Sequence, residues 1–218
     1  MTPREIVRAA RHILLDFDGP VCAVFSGISD RQAADALRAE LTSAGVAYPE
    51  SVARTRDPFE VLEFAVRVDQ QVGTLVEQSF RVSESSAVRV ALATDGTPDL
   101  LRRAAENDQL VTIVSNNSST AVRQYLELAG LTSFVRGIAA RSDAVIEHLK
   151  PSPFLLRQAM AETGTSPGDC VMIGDSVTDI EAAQAAGTKV IAYANKPGKR
   201  QRFEELSPDG VVESLVDL

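Results

Sequence analysis

The sequence predicts an α/β protein, a parallel sheet core flanked by helices, with a block of helices inserted after the first strand. Three observations carry that expectation. Short apolar runs at 13–15, 110–114, 171–173 and 189–194 end abruptly in Asp, Ser, Asn or Gly, as buried strands do. From about residue 94 onward these runs alternate with helical patterns, the spacing of βαβ units. Between 21 and 93 the pattern is helical, with no convincing strand.

In chain order, 13–16 is the first strand and Gly19 and Pro20 stop it. An apolar connector at 21–27 leads to Ser29 and Asp30, a helix N-cap before 31–44, which Gly45 terminates. Further helical patterns cover 58–68, 70–80 and 83–93. Pro98 sits in the first turn of the next helix. There follow a strand at 110–114, a helix at 119–129 and a strand at 134–139. A helix is expected at 151–162, a strand at 171–173, an Ala-rich helix at 178–186, and strands at 189–194 and 210–212. Lys196, Pro197, Gly198, Lys199 and Arg200 read as a surface loop. The expected organisation is therefore a core domain of 1–20 and 94–218 with an inserted helical domain of 21–93. In an open α/β sheet, ligands bind at the carboxyl ends of the strands, so the insertion sits where a lid would.

The chain has 218 residues, of which 44% are hydrophobic, and a net charge of −8. That composition belongs to a globular protein. The negative charge argues against nucleic-acid or anionic-membrane partners, so an anionic substrate needs a local cation. Cys22 and Cys170 form neither a metal-binding spacing nor a disulfide framework; Cys170 reads as a buried small hydrophobe. Residues 1–5 lack the apolar core of a secretion signal, and no run reaches the length of a membrane span. A cytoplasmic monomer or homodimer is expected. His12 and His148 lack a partner at ligand spacing and read as structural or exposed.

Four clusters follow apolar runs or open helices: Asp16-Phe17-Asp18-Gly19, Ser115-Asn116, Lys150-Pro151, and Gly174-Asp175 through Asp179. Asp16 and Asp18 would repel unless a cation stands between them or one is protonated. Together the clusters offer a nucleophile, a hydroxyl, a cation and further carboxylates, the set that phosphoryl transfer through an aspartyl intermediate requires. Taken singly, Ser115 would read as a helix N-cap, Lys150 as a solvated lysine, and Asp179 as an acid favouring a helix dipole.

These four motifs, in this order, resemble the haloacid dehalogenase (HAD) superfamily, in particular its phosphoglycolate phosphatase-like branch with a helical (C1-type) cap on a Rossmann-like core. The resemblance implies that Asp16 is the nucleophile and Asp18 the acid–base. It implies Mg²⁺ on Asp16, Asp175 and the Asp18 carbonyl, with Ser115, Asn116 and Lys150 around the phosphate and Asp179 in support. The implied activity is Mg-dependent hydrolysis of a small phosphorylated metabolite, a phosphate monoester. A sugar phosphomutase shares all four motifs, and a non-catalytic HAD-like binding or regulatory protein is the alternative of a different class. Asp18 speaks against a dehalogenase, and the absence of Lys from 21–93 against phosphonate hydrolysis. Pro20 departs from the pattern, since Thr or Val is common there, and is expected to alter the loop after the acids. Phe25, Tyr48, Arg54, Arg56 and Phe59 are candidate specificity residues, the two arginines for a carboxylate or second phosphate.

Overall fold

The computed structural model describes residues 1–218. In order, the elements are α1 (Pro3–Ala9), β1 (His12–Leu15), β2 (Cys22–Ala23), α2 (Asp30–Ser43), α3 (Glu50–Arg54), α4 (Pro58–Val68), α5 (Gln70–Ala87), β3 (Leu92–Ala93) and α6 (Thr97–Glu106). They continue with β4 (Leu110–Ser118), α7 (Ser119–Leu128), β5 (Gly137–Arg141), α8 (Phe154–Thr163), β6 (Cys170–Gly174), α9 (Val177–Ala186), β7 (Lys189–Tyr193), α10 (Lys199–Glu204) and β8 (Gly210–Val212).

β1 is the centre of a six-stranded parallel sheet of order β5-β4-β1-β6-β7-β8. His12 is opposite Leu110 on one side and Cys170 on the other. The strand is apolar because both of its faces are covered. Ile13, Leu15 and the following Phe17 pack into a core that α1, α6 and α7 close. Leu14 points the other way, into a core closed by α8, α9 and α10. Each of these fully buried side chains contributes about 1.5–3 kcal/mol.

Helices α2 to α5 form their own apolar cluster around Leu37, Leu41, Val61, Leu62 and Phe80. Ser29 starts α2 with a capping box to Gln32. The insertion differs from expectation in two ways. The patterns at 70–80 and 83–93 belong largely to one helix of 18 residues, α5, because no Gly or Pro interrupts its apolar stripe after Gly73. Its upper part, Val76 and Phe80, packs within the inserted cluster, whereas Ala87 packs in the sheet core. The connectors into and out of the insertion pair as an antiparallel ribbon, β2 with β3, which two-residue runs could not announce. The loop expected at 196–200 is also partly helical, since α10 begins at Lys199. No helix is long and apolar enough to cross a membrane.

His12 is 0% exposed. Its Nε2 lies 2.8 Å from the Thr112 hydroxyl and its Nδ1 3.0 Å from that of Thr165. Burial lowers its pKa to about 4, against about 6.5 in an unfolded chain. The unfolded state therefore takes up the proton first, and stability falls as pH drops from about 6.5 toward 4. Urea unfolding is expected to show about 2 kcal/mol lost from this group between pH 7 and pH 5. In His12→Gln that component of the slope disappears; an unchanged pH slope would exclude His12 as its source.

Candidate active site

The predicted residues Asp16, Asp18, Ser115, Asn116, Lys150, Asp175 and Asp179 converge at the carboxyl edge of the sheet. Asp16 directly follows β1, its N–H bonded to the Ile173 carbonyl at 2.9 Å. Ser115 lies on β4 and Asp175 follows β6. Lys150 arrives from the loop after β5 and is 5% exposed. Its ammonium donates to Asp16 Oδ1 at 2.7 Å, Asp179 Oδ1 at 2.5 Å and the Val114 carbonyl at 3.0 Å. All three donors are satisfied. Burial would lower the Lys150 pKa, but Asp16 and Asp179 outweigh it and hold the ammonium charged. Burial and the Asp179 carboxylate push Asp16 upward, with Lys150 opposing.

Carboxylate oxygens of Asp16, Asp175 and Asp179 come within 4.8 Å of one another. Asp16 Oδ2 and Asp175 Oδ1 accept from no protein donor. A hard, all-oxygen set with surplus negative charge fits a divalent cation such as Mg²⁺. Asp179 is less available, because its Oδ2 takes the Ser176 N–H and hydroxyl in the capping box that starts α9. Two glycines permit this crowding. A Cβ on Gly174 would lie 2.4 Å from Asp179 Cβ, and one on Gly19, at φ +114°, 2.4 Å from Asp175 Cγ.

Asp18 is half-buried and accepts the Val24 N–H at 2.8 Å. Burial, opposed by that bond, raises its pKa to about 6, which suits an acid–base working near neutrality. Pro20 fits the loop without strain on hydrogen bonding. The turn closes through the Val21 N–H to the Phe17 carbonyl at 3.0 Å, and the Pro20 carbonyl takes the Thr97 hydroxyl. Its missing N–H is not needed there. Cys22 is buried, and burial pushes its thiol upward, so it is unreactive.

Ser118, not Ser115, caps α7. Ser115 is thereby free of the capping role; its hydroxyl lies 3.2 Å from Asn117 Oδ1. Asn116 lines the same cleft as Lys150 and grips its main chain. Its Oδ1 accepts the Lys150 N–H at 2.8 Å and its Nδ2 donates to the Lys150 carbonyl at 3.0 Å. Among the specificity candidates, Arg54 pairs with Glu50 and faces solvent, and Arg56 is exposed. Phe25 and Tyr48 pack against apolar clusters. Phe59 alone lines the cleft of about 460 Å³ between α4 and the sheet edge, with Glu63, Arg67, Asn116, Glu147 and Lys150.

A buried charge cluster ties α5 to this edge. The Arg141 guanidinium reaches Glu77, Glu84 at 2.6 Å and the Asn116 carbonyl at 3.0 Å, above the Phe80 ring. Glu84 also accepts from Asn117 Nδ2 and the Ser118 N–H, both at 3.0 Å. The sequence reading missed these residues. The available signal was Glu77 and Glu84, seven apart, in phase with the apolar stripe of α5. It also missed Lys199 and Asn195, which bind Asp175 from the end of β7.

A parallel-sheet core with acids and a lysine at its carboxyl edge defines an α/β enzyme. The chain belongs to the haloacid dehalogenase-like hydrolases, whose family model matches residues 54–193. It is 29% identical to pyrophosphatase PpaX of Anoxybacillus flavithermus over 163 residues, 75% of this chain and 73% of that protein. It is 32% identical to a Bacillus cereus PpaX over 108 residues, about half of each chain (50% and 49%). Similarity to mouse N-acylneuraminate-9-phosphatase is 26% over 145 residues, 66% of this chain and 57% of that one. The fold matches the crystal structure of CbbY from Rhodobacter sphaeroides in complex with phosphate, with a TM-score of 0.71 and 20% identity over 96% of both chains. It also matches a haloacid dehalogenase-like hydrolase of Streptococcus pneumoniae, with a TM-score of 0.68 and 18% identity over 96% of both.

Arg141→Met leaves Glu84 buried without a counter-charge. Urea denaturation is expected to show a loss of about 3–5 kcal/mol; a loss below about 1 kcal/mol would mean that the cluster does not fasten α5 to the sheet.

Proposed function

We propose that the chain is a Mg²⁺-dependent phosphatase that hydrolyses a small phosphate monoester through an aspartyl-phosphate on Asp16. The observation that carries this reading is the contact of the Lys150 ammonium with Asp16 at the central strand end, beside Asp175 and Asp18. Asp16, Asp175 and the Asp18 carbonyl would hold the cation, whose charge screens the phosphate from the carboxylates and polarises its oxygens.

Lys150 holds the Asp16 side chain in place and adds positive charge where phosphoryl oxygens gather. The Asp16 carboxylate attacks phosphorus as the ester P–O bond breaks, and Asp18 gives its proton to the leaving alcohol. Asp18, now ionised, takes a proton from the water that attacks the acyl phosphate. Phosphate leaves and Asp16 is regenerated. Ser115 donates to a phosphate oxygen, and Asn116 positions Lys150. The residues from 21–93 act as a cap domain over the core domain of 1–20 and 94–218, shielding the site from water.

The cleft favours a monoester over a second phosphate. Beyond Lys150 its only cation is Arg67, which is paired with Glu63, and Glu147 adds another negative charge. A neutral or cationic organic group fits that wall better than a second phosphate. This separates the chain from what the PpaX name implies for that relative, although the two share a family. The residues assigned here sit on an acidic chain with no membrane-spanning helix, in keeping with a cytoplasmic metabolite enzyme.

With p-nitrophenyl phosphate and a metabolite panel, turnover is expected only with Mg²⁺, with monoesters ahead of pyrophosphate. Asp16→Asn should lose roughly 10³-fold or more in kcat while keeping its fold. Asp18→Asn should lose about 10²–10⁴-fold. Absence of turnover across the panel would favour a binding protein, and pyrophosphate as the best substrate would overturn the monoester assignment.

A further inference from the structure

β7 ends at Tyr193, and the chain turns through Asn195 and Gly198 into α10. Two side chains of this segment converge on one oxygen of Asp175. Asn195 Nδ2 donates to Asp175 Oδ2 at 2.8 Å, and Lys199 Nζ donates to the same oxygen at 2.6 Å. The Lys199 ammonium also binds the main-chain carbonyl of Asp175 at 2.6 Å. It therefore grips the side chain and backbone of one residue together, which fixes the carboxylate's direction. Gly19 packs against the same carboxylate so closely that even a Cβ would overlap it. Oδ1 is the oxygen left without a protein donor.

The orientation of the Asn195 amide follows from its partner. Turned over, it would set its own oxygen against a carboxylate oxygen. In the observed orientation its Oδ1 is buried and has no partner. A buried acceptor of this kind is satisfied by a donor brought into the site, such as a water carried by a cation.

We propose that Asn195 and Lys199 are positioning residues that restrict Asp175 to one coordinating oxygen and thereby make the site select Mg²⁺ over Ca²⁺. The inference rests on the cation reading of the site given above. Mg²⁺ takes six ligands in a near-ideal octahedron, with carboxylates contributing single oxygens and waters retained. Ca²⁺ takes six to eight and commonly uses both oxygens of a carboxylate. A two-oxygen grip by Asp175 would displace at least one of the two hydrogen bonds that fill Oδ2, one of them between ions. The positive charge of Lys199 weakens binding of both divalent cations alike, since they carry the same charge. The ratio of the two affinities therefore isolates the geometric effect from the electrostatic one.

The test is isothermal titration of the full-length chain with MgCl₂ and, separately, CaCl₂. Wild type is expected to bind Mg²⁺ in preference. Lys199→Met, which removes charge and donor at similar length, is expected to raise Ca²⁺ affinity relative to Mg²⁺ by about tenfold. Asn195→Ala should shift the ratio in the same direction by a smaller factor, and it carries the test if Lys199→Met does not fold by circular dichroism. Lys199→Arg, which keeps a charged donor, should return the ratio toward wild type. Two affinities that rise together with an unchanged ratio would overturn the proposal and leave Lys199 a purely electrostatic neighbour. Binding of neither cation by wild type would instead overturn the cation reading on which it rests.

Discussion

One ammonium holds the carboxyl edge of the sheet together. Lys150 Nζ is buried among Asp16, Asp179 and the Val114 carbonyl, and each of its donors has one acceptor. An uncompensated lysine at that depth would cost several kcal/mol, and uncompensated aspartates there would protonate or repel. Each therefore makes the others tolerable. The arrangement ties three separate pieces of chain, after β1, after β5 and at the start of α9, to one point. Asn116 fixes the main chain of Lys150 from β4, and Ser176 fixes Asp179 through the capping box of α9. The residues that start helices and end strands here thus also set the distances between these charged groups.

A second layer of charge links this point to the inserted helices. Arg141 bridges two carboxylates of α5 and a carbonyl of the β4 end, and Asn117 carries the connection to Ser115. Arg141 and the partly exposed Arg81 balance the buried Glu77 and Glu84, so the cluster carries no net charge. Hydrophobic burial alone would let α5 slide along the sheet edge, being non-directional. The guanidinium forks give it a fixed register.

Most of the sheet could be read from the chain because β1, β4, β6 and β7 are continuous apolar runs ended by residues that terminate strands. The acids could be read because they stand at those ends, and Lys150 because it comes between them in the expected order. What escaped has a physical reason in each case. β2 and β3 are two residues each and owe their structure to pairing with one another, not to local preference. The clamp of the Asn116 amide on the Lys150 main chain joins positions 34 apart, which no local pattern announces. Arg54 and Arg56 were singled out by charge type alone, and both are exposed, one at the end of α3 and one in the loop after it. Lys199 read as a loop residue, although it follows the end of β7, the same edge that supplied every other group. Applying the strand-end rule to that strand would have found it.

The central position of β1 also bears on how the chain is made. Its partners His12↔Leu110 and His12↔Cys170 lie far along the sequence. The strand that precedes Asp16 is synthesised before both of its neighbours, and the second of them follows more than 150 residues later. Throughout that interval a largely apolar strand stands without one ladder, and long-range parallel pairing of this kind is slow and exposed to aggregation. The helices of the insertion, whose contacts with one another are local, can form meanwhile. During synthesis, the inserted helices are thus complete in sequence before the last strands of the sheet.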